Sequence, residues 1–275
     1  MGKADREAVG HIKMAGVDWL TATTQRLVGR DEYRKLAYSV AKSLQAGGNQ
    51  DKQWLWQGYV GFQISGLTWG ERPDSSIMRL SGSLAASYWR DAVRWCDNVS
   101  RIDLQTTVHY KPFPRHLGTD GYRQILNANE GDEDGPNAQL RISTDGGETL
   151  YLGKGSSDKY ARLYNKASES KEAEYTDCWR YEVEVKNKPA KRIALELLAM
   201  GDERPYITTY VWRHFADRNV APTFSPSLGD GLVSVPRSRS NDEKRLTWLE
   251  FQVYPVVAGL IDRGRLVAIR EIFKL

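Results

Sequence analysis

Three short segments carry side chains able to hold a metal ion, grip a phosphate and attack it. In a strand, side chains alternate between two faces. Read as strands, 101–108 shows Arg101, Asp103, Gln105 and Thr107 on one face and Ile102, Leu104, Thr106 and Val108 on the other. Segment 160–166 shows Tyr160, Arg162, Tyr164 and Lys166 together, and 180–186 shows Arg180, Glu182, Glu184 and Lys186. An antiparallel sheet with one wet, ion-paired face accounts for any one of these strands. Side by side, the three have a chemistry. Asp103, Glu182 and Glu184 can supply hard oxygen ligands to Mg²⁺ or Mn²⁺. Arg162, Lys166 and Arg180 can hold a phosphate, and a tyrosine hydroxyl can attack it. On residue types alone, Tyr160 and Tyr164 are both candidates.

Other motifs fail on spacing. Gly147-Glu-Thr-Leu-Tyr-Leu-Gly153-Lys154-Gly155 resembles a phosphate-binding loop, but its first glycine is one residue early and Gly155 stands where Ser or Thr is required. Histidines 11, 109, 116 and 214 form no metal-binding pair. Cys96 and Cys178 are too few for a disulfide framework or a cysteine zinc site, and read as small buried hydrophobes in a reducing compartment. The 275 residues hold 39 basic and 35 acidic side chains, a net charge of +4 that tolerates nucleic acid as a partner without demanding it. The 9 tryptophans and 14 tyrosines are expected mostly in the core, with some free to stack on unpaired bases. No apolar run approaches the ~20 residues that cross a bilayer. The polar start suits neither a secretory segment nor, with Arg6 in place of Ser or Thr, a myristoylation signal. A cytoplasmic protein is expected.

The elements that must position these residues follow from periodicity and turn residues. Strands are expected at 17–23, 54–65, 76–80, 100–110, 139–143, 149–153, 159–166 and 178–186. Helices are expected at 31–45, started by Asp31, at 83–96, and at 190–200 opened by Pro189, with a further helical stretch after Pro205. A short helix at 118–129, an acidic Gly-rich loop at 130–136, a mobile loop at 221–240 and a helix within 246–273 complete the reading. The expected fold is α+β: a mainly antiparallel sheet backed by helices, with a repeated order of elements that suits two similar halves.

Residues 151–169, Tyr-Leu-Gly-Lys-Gly-Ser-Ser-Asp-Lys-Tyr-Ala-Arg-Leu-Tyr-Asn-Lys-Ala-Ser-Glu, resemble a diagnostic segment of the replication initiation factor family. That family includes initiators of rolling-circle plasmids, similar phage proteins and relaxases of integrative elements. Its pattern is aromatic-Leu-Gly, a Ser-rich turn, then Arg-x-Tyr-x-Lys with an acidic residue after it. Similar stretches follow the family's order at Asp18-Trp19-Leu20, Leu80-Ser81-Gly82, Arg101-Ile102-Asp103-Leu104 and Trp179-Arg180-Tyr181-Glu182-Val183-Glu184, covering roughly residues 15–200.

The resemblance implies a nicking and joining enzyme that starts rolling-circle replication. Tyr164 would link to the 5′ phosphate at the nick, and Asp103, Glu182 and Glu184 would bind a divalent cation, Mg²⁺ or Mn²⁺. Many relatives carry a second Asp four residues after the first; Thr107 stands there in this chain. A free tyrosine titrates near ~10, so Arg162 and Lys166 are expected to favour its phenolate. Arg101, Lys154, Lys159, Arg180 and Lys186 are the expected DNA contacts. The implied partner is origin DNA, as a single strand or an extruded hairpin; relatives also recruit a host helicase and dimerise. Residues 1–220 would form the nicking-joining domain, divided near 130–136, with a mobile loop at 221–240 and a helical segment at 241–275 packing on it. The same chemistry serves a relaxase of an integrative element. A non-catalytic DNA-binding regulator and a metal nuclease using water are the competing classes.

Overall fold

The computed structural model describes residues 10–110, 126, 138–144, 147–170, 173–218, 220 and 224. The expected helix at 118–129, the loops at 130–136 and 221–240 and the helix within 246–273 lie outside these residues, apart from Leu126 and Phe224. The fold is α+β, with a large antiparallel sheet of ten strands and five helices among the described residues. The chain divides into two compact units.

The first unit takes the described residues up to Thr21, Arg79–Trp89 and those from Val99 to 224. Its strands are β1 (His11–Thr24, as far as Thr21), β6 (Asn98–His109), β7 (Ala138–Ile142), β8 (Glu148–Leu152), β9 (Lys159–Asn165) and β10 (Cys178–Lys186). They lie in the order β1-β6-β10-β9-β8-β7. The central strand β10 pairs antiparallel on both sides, which sets the site's rows: Glu184 opposite Asp103 and Tyr160, Glu182 opposite Gln105 and Arg162, Arg180 opposite Thr107 and Tyr164. β8 then puts Thr149 beside Tyr164 and Tyr151 beside Arg162.

One face of this sheet is apolar: Ile102, Leu104, Ala161, Leu163, Tyr181, Val183 and Val185 are all buried. The helices α4 (Asn187–Leu198) and α5 (Arg204–Ala216) contact β10, and Phe215 meets Tyr181 edge-on with ring centroids 5.1 Å apart. Each fully buried aliphatic side chain there contributes about 1.5–3 kcal/mol through removal from water. A short helix α3 (Lys166–Ser170) follows β9 directly, so Lys166 opens a helix instead of ending the expected strand. Asn165 makes that switch: its Oδ1 accepts the Ala167 backbone N–H at 2.9 Å, capping the first turn.

The second unit, among the described residues, takes Ala22–Met78 and Arg90–Asn98. It holds α1 (Leu27–Ala46), β2 (Lys52–Trp56), β3 (Tyr59–Ile64), β4 (Leu67–Arg72) and the start of β5 (Ser75–Ser81), with the strands in that order in the sheet. The remaining helix, α2 (Ser83–Trp95), begins in the first unit and ends in this one. The stretch 54–65, expected as one strand, is a hairpin instead. Gln57 and Gly58 both take positive φ, 47° and 81°, as a two-residue hairpin turn requires. β4 was not expected at all. Helix α1 starts at Leu27, four residues before Asp31. Asp97 fixes the approach to that helix, accepting the Gln25 backbone N–H at 2.6 Å and pairing with Arg26. Gly29 is required in the first turn, because a Cβ there would stand 2.5 Å from Thr24 Oγ1 and from the Trp95 carbonyl.

Candidate active site

Because β6, β9 and β10 are in register, their even-spaced polar residues meet on one face of the first unit. They line a pocket of about 580 Å³ with Asp18, Tyr164, Arg162, Asp103, Arg180 and Glu182 among its walls. The Tyr164 hydroxyl donates to Glu182 Oε2 at 3.2 Å. Glu182 Oε1 is paired with Arg162 Nη2, which also reaches Asp103 Oδ2 at 3.1 Å. Arg101 grips Asp103 with Nε at 2.8 Å and Nη2 at 2.6 Å, and the same Nη2 reaches Glu184 Oε2 at 2.8 Å. Arg180 sits beside Tyr164, with Nη1 on Asp18 Oδ1 at 3.0 Å and Nε on Thr107 Oγ1 at 3.1 Å. The Thr107 hydroxyl in turn donates to Gln105 Oε1 at 2.8 Å.

The charged face is not wet. Asp103 is 1% exposed, Glu182 3%, Arg180 4% and Glu184 7%. The reason is mutual cover: each buried charge has an opposite charge against it, the arrangement under which burial of ions is tolerated. Burial pushes Asp103 above the ordinary carboxylate range, with Arg101 and Arg162 opposing. Burial likewise pushes Glu182 up to about 8, with Arg162 opposing and the Asp103 charge adding to the rise. Tyr164 is held well above its usual value, first by burial and then by the Glu182 charge. The expectation that Arg162 and Lys166 favour its phenolate is therefore corrected. Arg162 is engaged with two carboxylates, Lys166 turns to Glu169, and Arg180 is the cation that offsets the rise.

The structure joins Arg101, Asp103, Glu184, Arg162 and Glu182 in one ion-paired cluster, hydrogen-bonds Tyr164 to it, sets Arg180 with its partner Asp18 beside Tyr164, and puts Lys166 at the pocket's wall. Lys186 joins through Glu184 Oε1 at 2.7 Å and also donates to the Gly155 carbonyl at 2.5 Å. Lys154 lies in the turn after β8, its carbonyl accepting from the Ser157 hydroxyl at 2.5 Å. Lys159 is placed elsewhere: strand alternation puts it on the helix-covered face, over the Tyr210 ring at 5.5 Å. Tyr160 shares the face of Tyr164 but stacks on Tyr151, centroids 5.6 Å apart and planes 19° apart. The glycine-rich run 147–155 is strand β8 and its following turn. Asp18, Trp19 and Glu169 also line the pocket, and periodicity had pointed to none of them as site residues. For Asp18 the signal was the Asp18-Trp19-Leu20 match; Trp19 lies under the Arg101 guanidinium at 4.7 Å.

Among the described residues, no three His, Cys, Asp or Glu side chains gather as a ready metal cage. The oxygens nonetheless fit a hard cation in pairs. Asp103 and Glu182 converge on one cationic nitrogen, and Asp103 and Glu184 on another.

Residues 123–223 match the family model of the replication initiation factors. That span includes Tyr164, Arg162, Lys166, Arg180, Glu182 and Glu184, and leaves Asp18 and Asp103 outside. No curated protein matches the chain in sequence. Among solved structures, the chain is similar to the rolling circle replication initiator protein from Geobacillus stearothermophilus, at 18% identity and a TM-score of 0.50. The likeness covers 75% of this chain and 85% of that one. Residues 123–223 thus match the replication initiation factor model, and the fold is similar to that of a rolling circle replication initiator protein.

Proposed function

We propose that the chain nicks and rejoins one strand of origin DNA to start rolling-circle replication, with Tyr164 as the nucleophile. The observation that carries this reading is the Tyr164 hydroxyl, held on Glu182 beside Arg180 in a pocket large enough for a nucleotide. Tyr164 Oη attacks the phosphorus and its proton passes to Glu182 Oε2. The bond from phosphorus to the 3′ oxygen breaks, and that oxygen takes a proton from solvent. The product is a 5′-phosphotyrosine and a free 3′ hydroxyl. Reversal by a 3′ hydroxyl reseals the strand without ATP, because the ester keeps the energy of the phosphodiester. Glu182, pushed up to about 8, suits a proton acceptor at neutral to mildly basic pH.

Arg180 favours negative charge on the attacking oxygen, and Arg162 and Lys166 face the incoming phosphate. At least two of Asp103, Glu182 and Glu184 would hold Mg²⁺ or Mn²⁺, which supplies Lewis-acid polarisation of the phosphoryl oxygens. The strand must enter unpaired, so origin DNA is the partner as a single strand or extruded hairpin. Arg101, at the pocket wall, together with Lys154 and Lys186, would follow the backbone as it leaves the pocket. The test is incubation with supercoiled DNA of its own replicon and Mg²⁺, then a denaturing gel. The wild type should give a covalent protein–DNA band, and Tyr164→Phe none, with folding intact by circular dichroism, since the lost hydrogen bond to a carboxylate costs about 1.5–3 kcal/mol. A band from Tyr164→Phe that is missing from Tyr160→Phe would move the nucleophile to Tyr160. Nicking without any band would mean that water is the nucleophile.

A further inference from the structure

The two arginines between the three buried carboxylates are held very differently. Arg101 uses two nitrogens on Asp103, at 2.8 and 2.6 Å, bridges to Glu184 at 2.8 Å, and lies on the Trp19 ring. Arg162 uses Nη2 alone for both Asp103 and Glu182. Its Nε is buried and has no hydrogen-bond partner among the described residues, a standing cost of its present position. Arg101 is pinned; Arg162 is parked.

We infer that Arg162 Nη2 holds the place of a divalent cation between Asp103 and Glu182, and yields it when a DNA phosphate draws the guanidinium outward. The inference rests on the proposed nicking reaction and deepens it. Two buried carboxylates need a countercharge at all times. Before DNA arrives, Arg162 supplies it. A phosphate in the pocket gives Arg162 a bidentate partner of its own, and the vacated position then takes a dication. Asp103 and Glu182 are on this account the ligands, while Glu184 acts through Arg101 to orient Asp103. Metal and DNA phosphate should therefore bind with positive, reciprocal coupling.

The test is Mn²⁺ binding to the full chain, read from the electron paramagnetic resonance of free Mn²⁺, with circular dichroism as the check of folding. Without DNA, Arg162→Gln should bind Mn²⁺ about tenfold more tightly than wild type, the gain expected when a competitor that closes about nine-tenths of the sites is removed. A short single-stranded oligonucleotide of its replicon should tighten Mn²⁺ binding to wild type to a similar degree, and add little in Arg162→Gln. Asp103→Asn should abolish binding, and Glu184→Gln should keep it within about threefold. Mn²⁺ binding by Arg162→Gln that equals or falls below wild type overturns the inference and leaves the nicking reaction standing. No Mn²⁺ binding in any variant, with or without oligonucleotide, overturns both the inference and the metal site it rests on. Loss in Glu184→Gln as complete as in Asp103→Asn overturns the choice of ligands. If Arg162→Gln fails to fold, the oligonucleotide arm on wild type decides: unchanged Mn²⁺ affinity overturns the inference.

Discussion

Val183 and Glu182 are neighbours in β10 and are nearly equally shielded, at 0% and 3% exposure, yet they are buried by opposite means. Val183 points to the face where Phe215 and the apolar sides of α4 and α5 pack, and its burial is favourable by itself. Glu182 points to the face where burial is unfavourable, and it stays there because Arg162 and Tyr164 meet both its oxygens. One face stabilises the unit. The other stores charge in a dry place, which raises the proton affinity of Glu182 and of Tyr164. The pleat of a single strand thus separates stability from chemistry.

The sharpest way to break that comparison is at Glu182. Glu182→Gln keeps the shape and removes the charge and the proton acceptor. Adduct formation should fall by about 10²–10⁴-fold, the usual loss when a general base is removed, measured as the initial rate on single-stranded origin DNA.

Next in size is the apolar face. Leu163 is fully buried on β9 between the residues of the site, and Leu163→Ala should cost about 2–5 kcal/mol in urea unfolding. Adduct yield per folded molecule should stay near wild type, because Leu163 points away from Tyr164. A selective loss of catalysis with unchanged stability would contradict the separation of the faces.

A smaller effect concerns pH and stability. Burial, opposed by the Arg162 charge, makes folded Glu182 bind its proton more tightly than the unfolded chain does, where it titrates near ~4.3. Its contribution is fully present below the unfolded value and is lost as pH rises through about 8. Metal-free wild type should therefore lose stability between pH 5 and 9, and Glu182→Gln should flatten that slope and melt higher at pH 9. The sign of the difference, Glu182→Gln melting above wild type at pH 9 and not at pH 5, is what thermal unfolding at the two pH values checks.

The smallest effect is expected at Lys159. It lies over Tyr210 on the helix-covered face, so Lys159→Ala should cost up to about 1 kcal/mol of stability and leave DNA affinity unchanged. A marked, salt-dependent loss of DNA binding would mean that the strand wraps round to the far face.

Strand alternation made the two faces readable before any coordinates, because β6, β9 and β10 keep a strict period of two. What alternation cannot carry is what covers a face, so ion-paired carboxylates read as solvated ones. Lys159 was misplaced for a simpler reason: it was judged by its closeness in sequence to Tyr164, and an odd spacing of five residues puts it on the other side of the sheet. The β2–β3 hairpin was hidden because Gln57, not Asn or Asp, takes the first positive-φ position of its turn. The start of α1 was hidden because Asp97, which fixes its approach through Gln25, lies far along the chain and Gly29 interrupts the helical pattern. Asp18 was legible only through its motif, since a lone acid on a strand of mixed pattern says nothing of the distant Arg180 it meets.

The central claim is that Tyr164 carries the DNA. Its most direct test is to trap the protein on single-stranded origin DNA with Mg²⁺, digest both components, and locate the residual nucleotide by mass spectrometry. The account predicts a nucleotide joined through its 5′ phosphate to the peptide that holds Tyr164. A nucleotide on the peptide's Tyr160, or a nicked strand with no modified tyrosine at all, would contradict it.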